Sequence, residues 1–290
     1  MPLTRLLALP VLALAVLAFP SLAAAAPPIR VQNDRTANSR TVPGGATPDG
    51  ATPDGAALVR SSGARIGYDI SYPQCGSAYP RNPAFGIVGV NGGIVFSANQ
   101  CLASQLVWAG TNAQLYANTG NPGPQLSTHW PTGQSTPRAC SASNPDSVNC
   151  AYDYGWNAAA DSYRKAVDAY VSLGQASQGA TRTPTANTWW LDVETGNSWR
   201  TDGARNVAAL QGAVAYLESV EVGGVGFYST SYQWGQITGS SREFATYPSW
   251  HAGAQTLRTA RRFCSGSGFT GGRIALTQYI ASGFDADYPC

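Results

Sequence analysis

Trp189-Trp190-Leu191-Asp192-Val193-Glu194-Thr195 decides the reading: the run is apolar until two carboxylates arrive, two residues apart, near its C-terminal end. Aromatic and branched residues in so short a run predict a strand over Thr188–Glu194. Side chains alternate across a strand, so Trp190, Asp192 and Glu194 share one face, with the Cα atoms of the two acids about 6–7 Å apart. Trp189 faces the other way, toward whatever covers the sheet. Two like charges this close in partial burial do not both ionise freely, so one group keeps its proton while its neighbour stays charged. Glycoside hydrolysis uses that division of labour. Asp-x-Glu at a strand end also caps helices or binds divalent cations, so the motif alone leaves those readings open.

Working outward, similar short runs occur at Arg65–Ile70, Phe85–Val90, Gln114–Asn118, Val225–Ser229, Trp250–Ala252 and Arg273–Tyr279. Apolar residues at three- and four-residue spacing predict helices over Leu102–Ala109, Trp156–Leu173, Ala204–Val220 and Thr256–Phe263. Strands alternating with helices indicate an α/β domain on a parallel sheet, either a closed TIM-like (β/α) barrel or an open doubly wound sheet. Seven strands are legible, one short of a closed barrel of eight. Thr119 to Tyr152 carries turn chemistry throughout and follows the third strand at the end where such barrels build their sites, so it is expected to wall a cleft.

Two further acidic strand ends stand out. Asp69 lies in Ile66-Gly67-Tyr68-Asp69-Ile70-Ser71, and Asp285 in the closing Gly283-Phe284-Asp285-Ala286-Asp287-Tyr288. In a closed barrel the first and last strands are neighbours, which would bring Asp69 and Asp285 together at the rim. Asp285 and Asp287 also suit ordinary turns. Aromatic side chains at or beyond strand ends, Tyr68, Trp156, Trp199, Tyr228, Trp234 and Tyr279, offer faces for stacking sugars, with core packing as the competing use of each.

Residues 1–26 read as a secretory signal peptide, with Arg5, an apolar run from Leu6 to Leu22 broken by two prolines, and four alanines. Residues 27–62 hold a tandem Ala-Thr-Pro-Asp-Gly repeat and no apolar periodicity, so a disordered linker is expected, with the folded domain over 63–290. The six cysteines all follow the signal and form an even set suited to an oxidising compartment. Of fifteen possible pairings, the sequential one is expected, Cys75–Cys101, Cys140–Cys150 and Cys264–Cys290, because each brackets a loop that a bridge would pin. No close Cys-x-x-Cys pair supports a metal site. A net charge of +2, with basic residues scattered, leaves no footprint for nucleic acid.

Four short motifs in order, Tyr68-Asp69-Ile70-Ser71, Leu191-Asp192-Val193-Glu194, Phe227-Tyr228-Ser229-Thr230 and Gln278-Tyr279 with the Asp285-Ala286-Asp287 tail, make Ile66 to Cys290 resemble glycoside hydrolase family 25, the lysozyme-type muramidases. The resemblance implies a barrel of eight strands and fewer than eight helices. It implies Glu194 as general acid, Asp192 assisting by orienting the substrate's N-acetyl group, and Asp69 and Asp285 shaping the charge of the site. Substrate contacts are expected at Tyr68, Asn118, Trp156, Tyr228, Gln278 and Tyr279. Val90-Asn91-Gly92-Gly93 and Tyr116-Ala117-Asn118 depart from the family pattern and are expected to line the groove.

The expected function is cleavage of peptidoglycan or a related N-acetylated glycan by a secreted or cell-wall-associated monomer. Neither cofactor nor metal is called for, and neither nucleic acid nor, once the signal is cleaved, a membrane is an expected partner. A non-catalytic carbohydrate-binding protein on the same barrel is the rival, and a Ca²⁺-assisted hydrolase a third reading. No Gly-x-Ser-x-Gly elbow or His-x-x-x-His pair is present, and Gly224-Val225-Gly226 precedes a strand instead of opening a helix.

Overall fold

The computed structural model describes residues 66–176 and 183–290. The signal peptide and linker expected over 1–26 and 27–62 lie outside the described residues. Eight strands close into one barrel in chain order: β1 (Gly67–Ile70), β2 (Gly86–Gly89), β3 (Gln114–Asn118), β4 (Thr188–Asp192), β5 (Gly224–Ser229), β6 (Ser249–Ala254), β7 (Ile274–Ala281) and β8 (Phe284–Pro289). Five α-helices stand among the described residues: α1 (Leu102–Ala109), α2 (Val148–Ala176), α3 (Gly203–Ser219), α4 (Ser231–Thr238) and α5 (Leu257–Phe263). The closed alternative is therefore the right one, with the eighth strand in the acidic tail.

Seven strands run parallel, whereas β8 runs antiparallel to both β7 and β1. Its direction follows from its connection. Ser282 and Gly283 alone join β7 to β8, both at positive φ (53° and 81°), the geometry of a two-residue hairpin turn. A parallel return would need a crossover of a dozen residues or more.

Strand alternation divides the core into two layers. Outward-facing Val88, Leu115, Trp189, Leu191 and Phe227 pack beneath Leu106, Leu210, Leu217 and Trp234 of the helices. Inward-facing Ile87, Trp190, Trp250 and Leu276 fill the barrel's centre. Trp190 fits because its register partner on β5 is Gly226, where a Cβ would sit 2.3 Å from the indole. Helices α2 and α3 approach so closely that a Cβ at Gly155 would lie 1.8 Å from the Ala209 carbonyl oxygen.

Two elements differ from expectation. Helix α2 begins at Val148, so Cys150 belongs to its first turn and not to the loop. Helix α4 has its own punctuation, with Thr230 Oγ1 accepting from the Gln233 amide at 3.1 Å and Gly239 ending it in the left-handed region. The three expected disulfides are present. Cys75–Cys101 holds the segment after β1 to the start of α1, Cys140–Cys150 staples the long loop to α2, and Cys264–Cys290 ties the end of α5 to the last residue after β8.

Candidate active site

At the C-terminal ends of the parallel strands lies a cavity of about 160 Å³, lined by Asp69, Tyr116, Asp192, Glu194, Tyr228, Trp250, Gln278 and Asp285. All four acids expected from the sequence meet there. Its floor is the inner aromatic layer: Trp250 packs edge-on against Trp190 at 5.8 Å and against Tyr228 at 4.5 Å between ring centroids. The indole N–H of Trp190 is satisfied below the acids, donating to Gln114 Oε1 at 2.7 Å.

On one side, Asp192 and Glu194 both line the cavity from the end of β4, two residues apart. Asp192 is 3% exposed, whereas Glu194 is half-buried and one step nearer solvent. Asn118, the register partner of Asp192 on β3, donates from Nδ2 to Asp192 Oδ2 at 2.5 Å. Burial first, and the neighbouring Glu194 charge second, push the Asp192 carboxyl well above the usual carboxylate range. Gln233 of α4 reaches the same spot, its Nε2 3.5 Å from Glu194 Oε1 and its Oε1 accepting from the Thr195 amide at 2.6 Å.

On the other side, Asp69 and Asp285 are register partners on β1 and β8. Asp69 Oδ2 accepts from Gln278 Nε2 at 2.9 Å, and Gln278 Oε1 accepts from the Tyr228 hydroxyl at 2.8 Å. Burial is the largest cause raising both carboxyls, and for Asp69 the Asp285 charge adds to it. Desolvation and the surrounding acids also raise the Tyr116 and Tyr228 hydroxyls, which stay neutral.

Of the expected substrate contacts, Tyr228 and Gln278 line the cavity and Asn118 acts through Asp192. Tyr68 and Tyr279 do not: each is adjacent in sequence to an inward-facing residue, hence points outward, and packs with Ala260 of α5. Trp156 lies on α2, edge-on to Tyr216 of α3 at 5.3 Å. Trp234 is 1% exposed in the outer core, and Trp199 donates its N–H to the Glu194 carbonyl at 2.9 Å. Asn91 does not line the groove either. At 1% exposure it donates to Ser162 Oγ at 3.2 Å and accepts from the Asn118 amide at 2.8 Å, so it braces the neighbouring strand.

Tyr116, expected in the groove with its motif, lines the cavity, whereas Trp250 and Asp287 were not singled out from the sequence as site residues. Their inward-facing registers, Trp250 opposite Tyr228 and Asp287 two residues after Asp285 on β8, are the signal that places them. His251 leans on Phe263 and Phe269 at the outer side, with Nε2 3.2 Å from Ser231 Oγ. The stapled loop walls a second cavity of about 400 Å³, between Leu126 and His129 on the loop, Val95 and Phe96 opposite, and Asn197 and Ser198 just beyond Glu194. Among the described residues no group of three or more His, Cys, Asp or Glu side chains is arranged to hold a metal ion.

A family model described as Lysozyme-like protein 1 matches residues 145–264. That span contains Asp192 and Glu194 and leaves out Asp69 and Asp285. No curated protein matches the chain. Among solved structures, it is similar to a muramidase from Acremonium alcalophilum at 16% identity, over 78% of this chain and 93% of that one, with a TM-score of 0.48. A muramidase from Trichobolus zukalii is 19% identical over 78% of this chain and 94% of its own, TM-score 0.44. For a family GH25 lysozyme from Aspergillus fumigatus the values are 16%, 78%, 93% and 0.44.

Proposed function

We propose that this chain is a secreted glycoside hydrolase of the family 25 muramidase type, cleaving peptidoglycan or a related N-acetylated glycan, with Glu194 as general acid and Asp192 as its partner. The observation that carries this reading is the meeting of Asp192 and Glu194 with Asp69 and Asp285 around one cavity. The match of the central segment to a lysozyme-like family model supports it as well.

The placement of the two acids supports one class of mechanism. A retaining glycosidase with a carboxylate nucleophile places its two carboxyl groups about 5–5.5 Å apart on opposite faces of the sugar. Asp192 and Glu194, two residues apart at one strand end, face the cavity from the same side, so they do not flank a ring. The nucleophile is then the substrate's own acetamido oxygen. It attacks the anomeric carbon as the glycosidic C–O bond breaks, and the pair's proton passes through Glu194 to the departing oxygen. Asp192, ionised once that proton has left, steadies the acetamido N–H, which carries positive charge in the cyclic intermediate. Water then opens the ring and returns its proton to Glu194. Asp69 and Asp285 surround the cationic sugar with negative potential.

The test is digestion of purified cell wall by the folded domain beside Glu194→Gln, read as new reducing ends. The variant should lose about 10³-fold in rate, the scale of a positioned acid. Equal release by both proteins rejects the assignment. Retention of glycan without turnover by the unmodified chain selects the carbohydrate-binding alternative.

A further inference from the structure

Asp287 is the acid that the cleavage mechanism leaves unused. It is fully buried on β8 and faces inward beside Asp69 and Trp250. Its Oδ1 accepts from the Trp250 indole N–H at 2.8 Å. Its Oδ2 is sealed from solvent and receives no hydrogen bond. A carboxylate oxygen stranded in that way costs several kcal/mol, whereas an oxygen that carries a proton needs an acceptor, not a donor. The acceptor on the same face is Asp69: across β1 and β8, Asp287 pairs with Gly67, two residues before Asp69.

We propose that Asp287 is a positioning residue that stays protonated at neutral pH and donates to Asp69, fixing Asp69 as an oriented anion on the wall opposite Glu194. The role assigned to Asp69 rests on the glycosidase reading, but the protonation of Asp287 does not. Asp69 then receives two donors, the Gln278 amide and the Asp287 hydroxyl, and its charge is aimed at the cavity. Trp250 orients the Asp287 carboxyl from β6, so the tryptophan of the cavity floor also sets the hydrogen-bond chain of the wall.

The charged and titratable surroundings agree. Asp69 on β1 and Asp285 on β8 are the charges acting on Asp287, both acidic, and burial, the largest cause, further disfavours ionisation. Tyr279 on β7 feels Asp287 from the outer face, and Arg261 of α5 stands over Tyr288 on that outer side, at 5.4 Å from its ring centroid. Glu194 on the facing wall adds negative charge toward Asp69.

The decisive experiment compares Asp287→Asn with Asp287→Ala by difference infrared spectroscopy at pH 7 and by glycan cleavage. An asparagine accepts from Trp250 and donates to Asp69, reproducing a neutral Asp287. The proposal therefore expects Asp287→Asn to fold, to lose the infrared intensity of one buried protonated carboxyl, and to cleave within about threefold of the unmodified rate. Asp287→Ala, with the donor gone, should lose about 30-fold in kcat, the scale of one missing hydrogen bond to a charged group. An unchanged carboxyl band, a misfolded Asp287→Asn, or an asparagine variant as slow as the alanine one overturns it. If the unmodified chain cleaves no glycan, the infrared arm still decides the protonation of Asp287, so that failure is distinct from failure of the glycosidase reading.

Discussion

Two carboxyl pairs face each other across the mouth of this barrel, built from the same chemistry and used differently. Asp192 and Glu194 sit at i and i+2 on one strand end, and the outer member is half-buried. Asp69 and Asp287 come from neighbouring strands at opposite ends of the described chain, and both are buried, Asp287 completely. The difference is access: a proton in the first pair can reach a bound sugar through Glu194, whereas the proton between Asp287 and Asp69 has no path out except through Asp69. In the proposed mechanism the same residue type acts as an acid at the open pair and as a brace at the sealed one, set by depth and by the indole of Trp250.

The comparison breaks most visibly at Glu194. Replacing it by glutamine should remove about 10³-fold of glycan cleavage while leaving the thermal unfolding transition intact, since a half-buried acid is exchanged for its amide. Next comes the covalent tie that holds the sealed wall: Cys264→Ser with Cys290→Ser frees the end of β8 from α5. The two cysteines are 26 residues apart, and a loop of that length is worth about 3.5 kcal/mol of chain entropy. A midpoint shift of that size in denaturant titrations is expected, with activity lost before the fold.

Asp192→Asn sharpens the contrast through pH. Asp69, Asp192, Asp285 and Asp287 all bind their protons more tightly when folded. The stability they lend is therefore complete below the unfolded carboxylate value of about 4 and is withdrawn as the pH rises through the raised folded values. Asp192→Asn should lose about 10²-fold of activity yet melt higher than the unmodified protein at pH 7, the difference shrinking toward pH 4. A lower melting point at neutral pH contradicts the assigned protonation. The smallest effect is expected at Trp250→Phe, which keeps an aromatic floor but removes the donor to Asp287, at about 1–2 kcal/mol of stability by calorimetry.

Much of this arrangement was legible in the sequence, and the failures have physical causes. The strand bearing Asp192 was plain because its outer face is apolar and its inner face turns acidic only at the end. Strand β8 was missed as a strand because its inward residues are Asp285 and Asp287, so the expected apolar core face is absent. Its hairpin turn at Ser282-Gly283 was the available clue. Tyr68 and Tyr279 were expected in the groove for being near its acids, although alternation puts a neighbour of an inward residue on the outside. Trp250 could not be assigned to the floor from local sequence, since its depth depends on the stagger of strands around the closed barrel. Asn91 looked like a groove residue and proved to be a buried brace for β3, a distinction that only its partners Ser162 and Asn118 reveal.

Reducing-end release from intact peptidoglycan, set against the same peptidoglycan after chemical removal of its N-acetyl groups, tests the account most directly. A pair of acids working from one side, with the substrate supplying the nucleophile, predicts release from the intact glycan alone, and its loss in Glu194→Gln. Equal release from both substrates, or release that Glu194→Gln leaves undiminished, contradicts it.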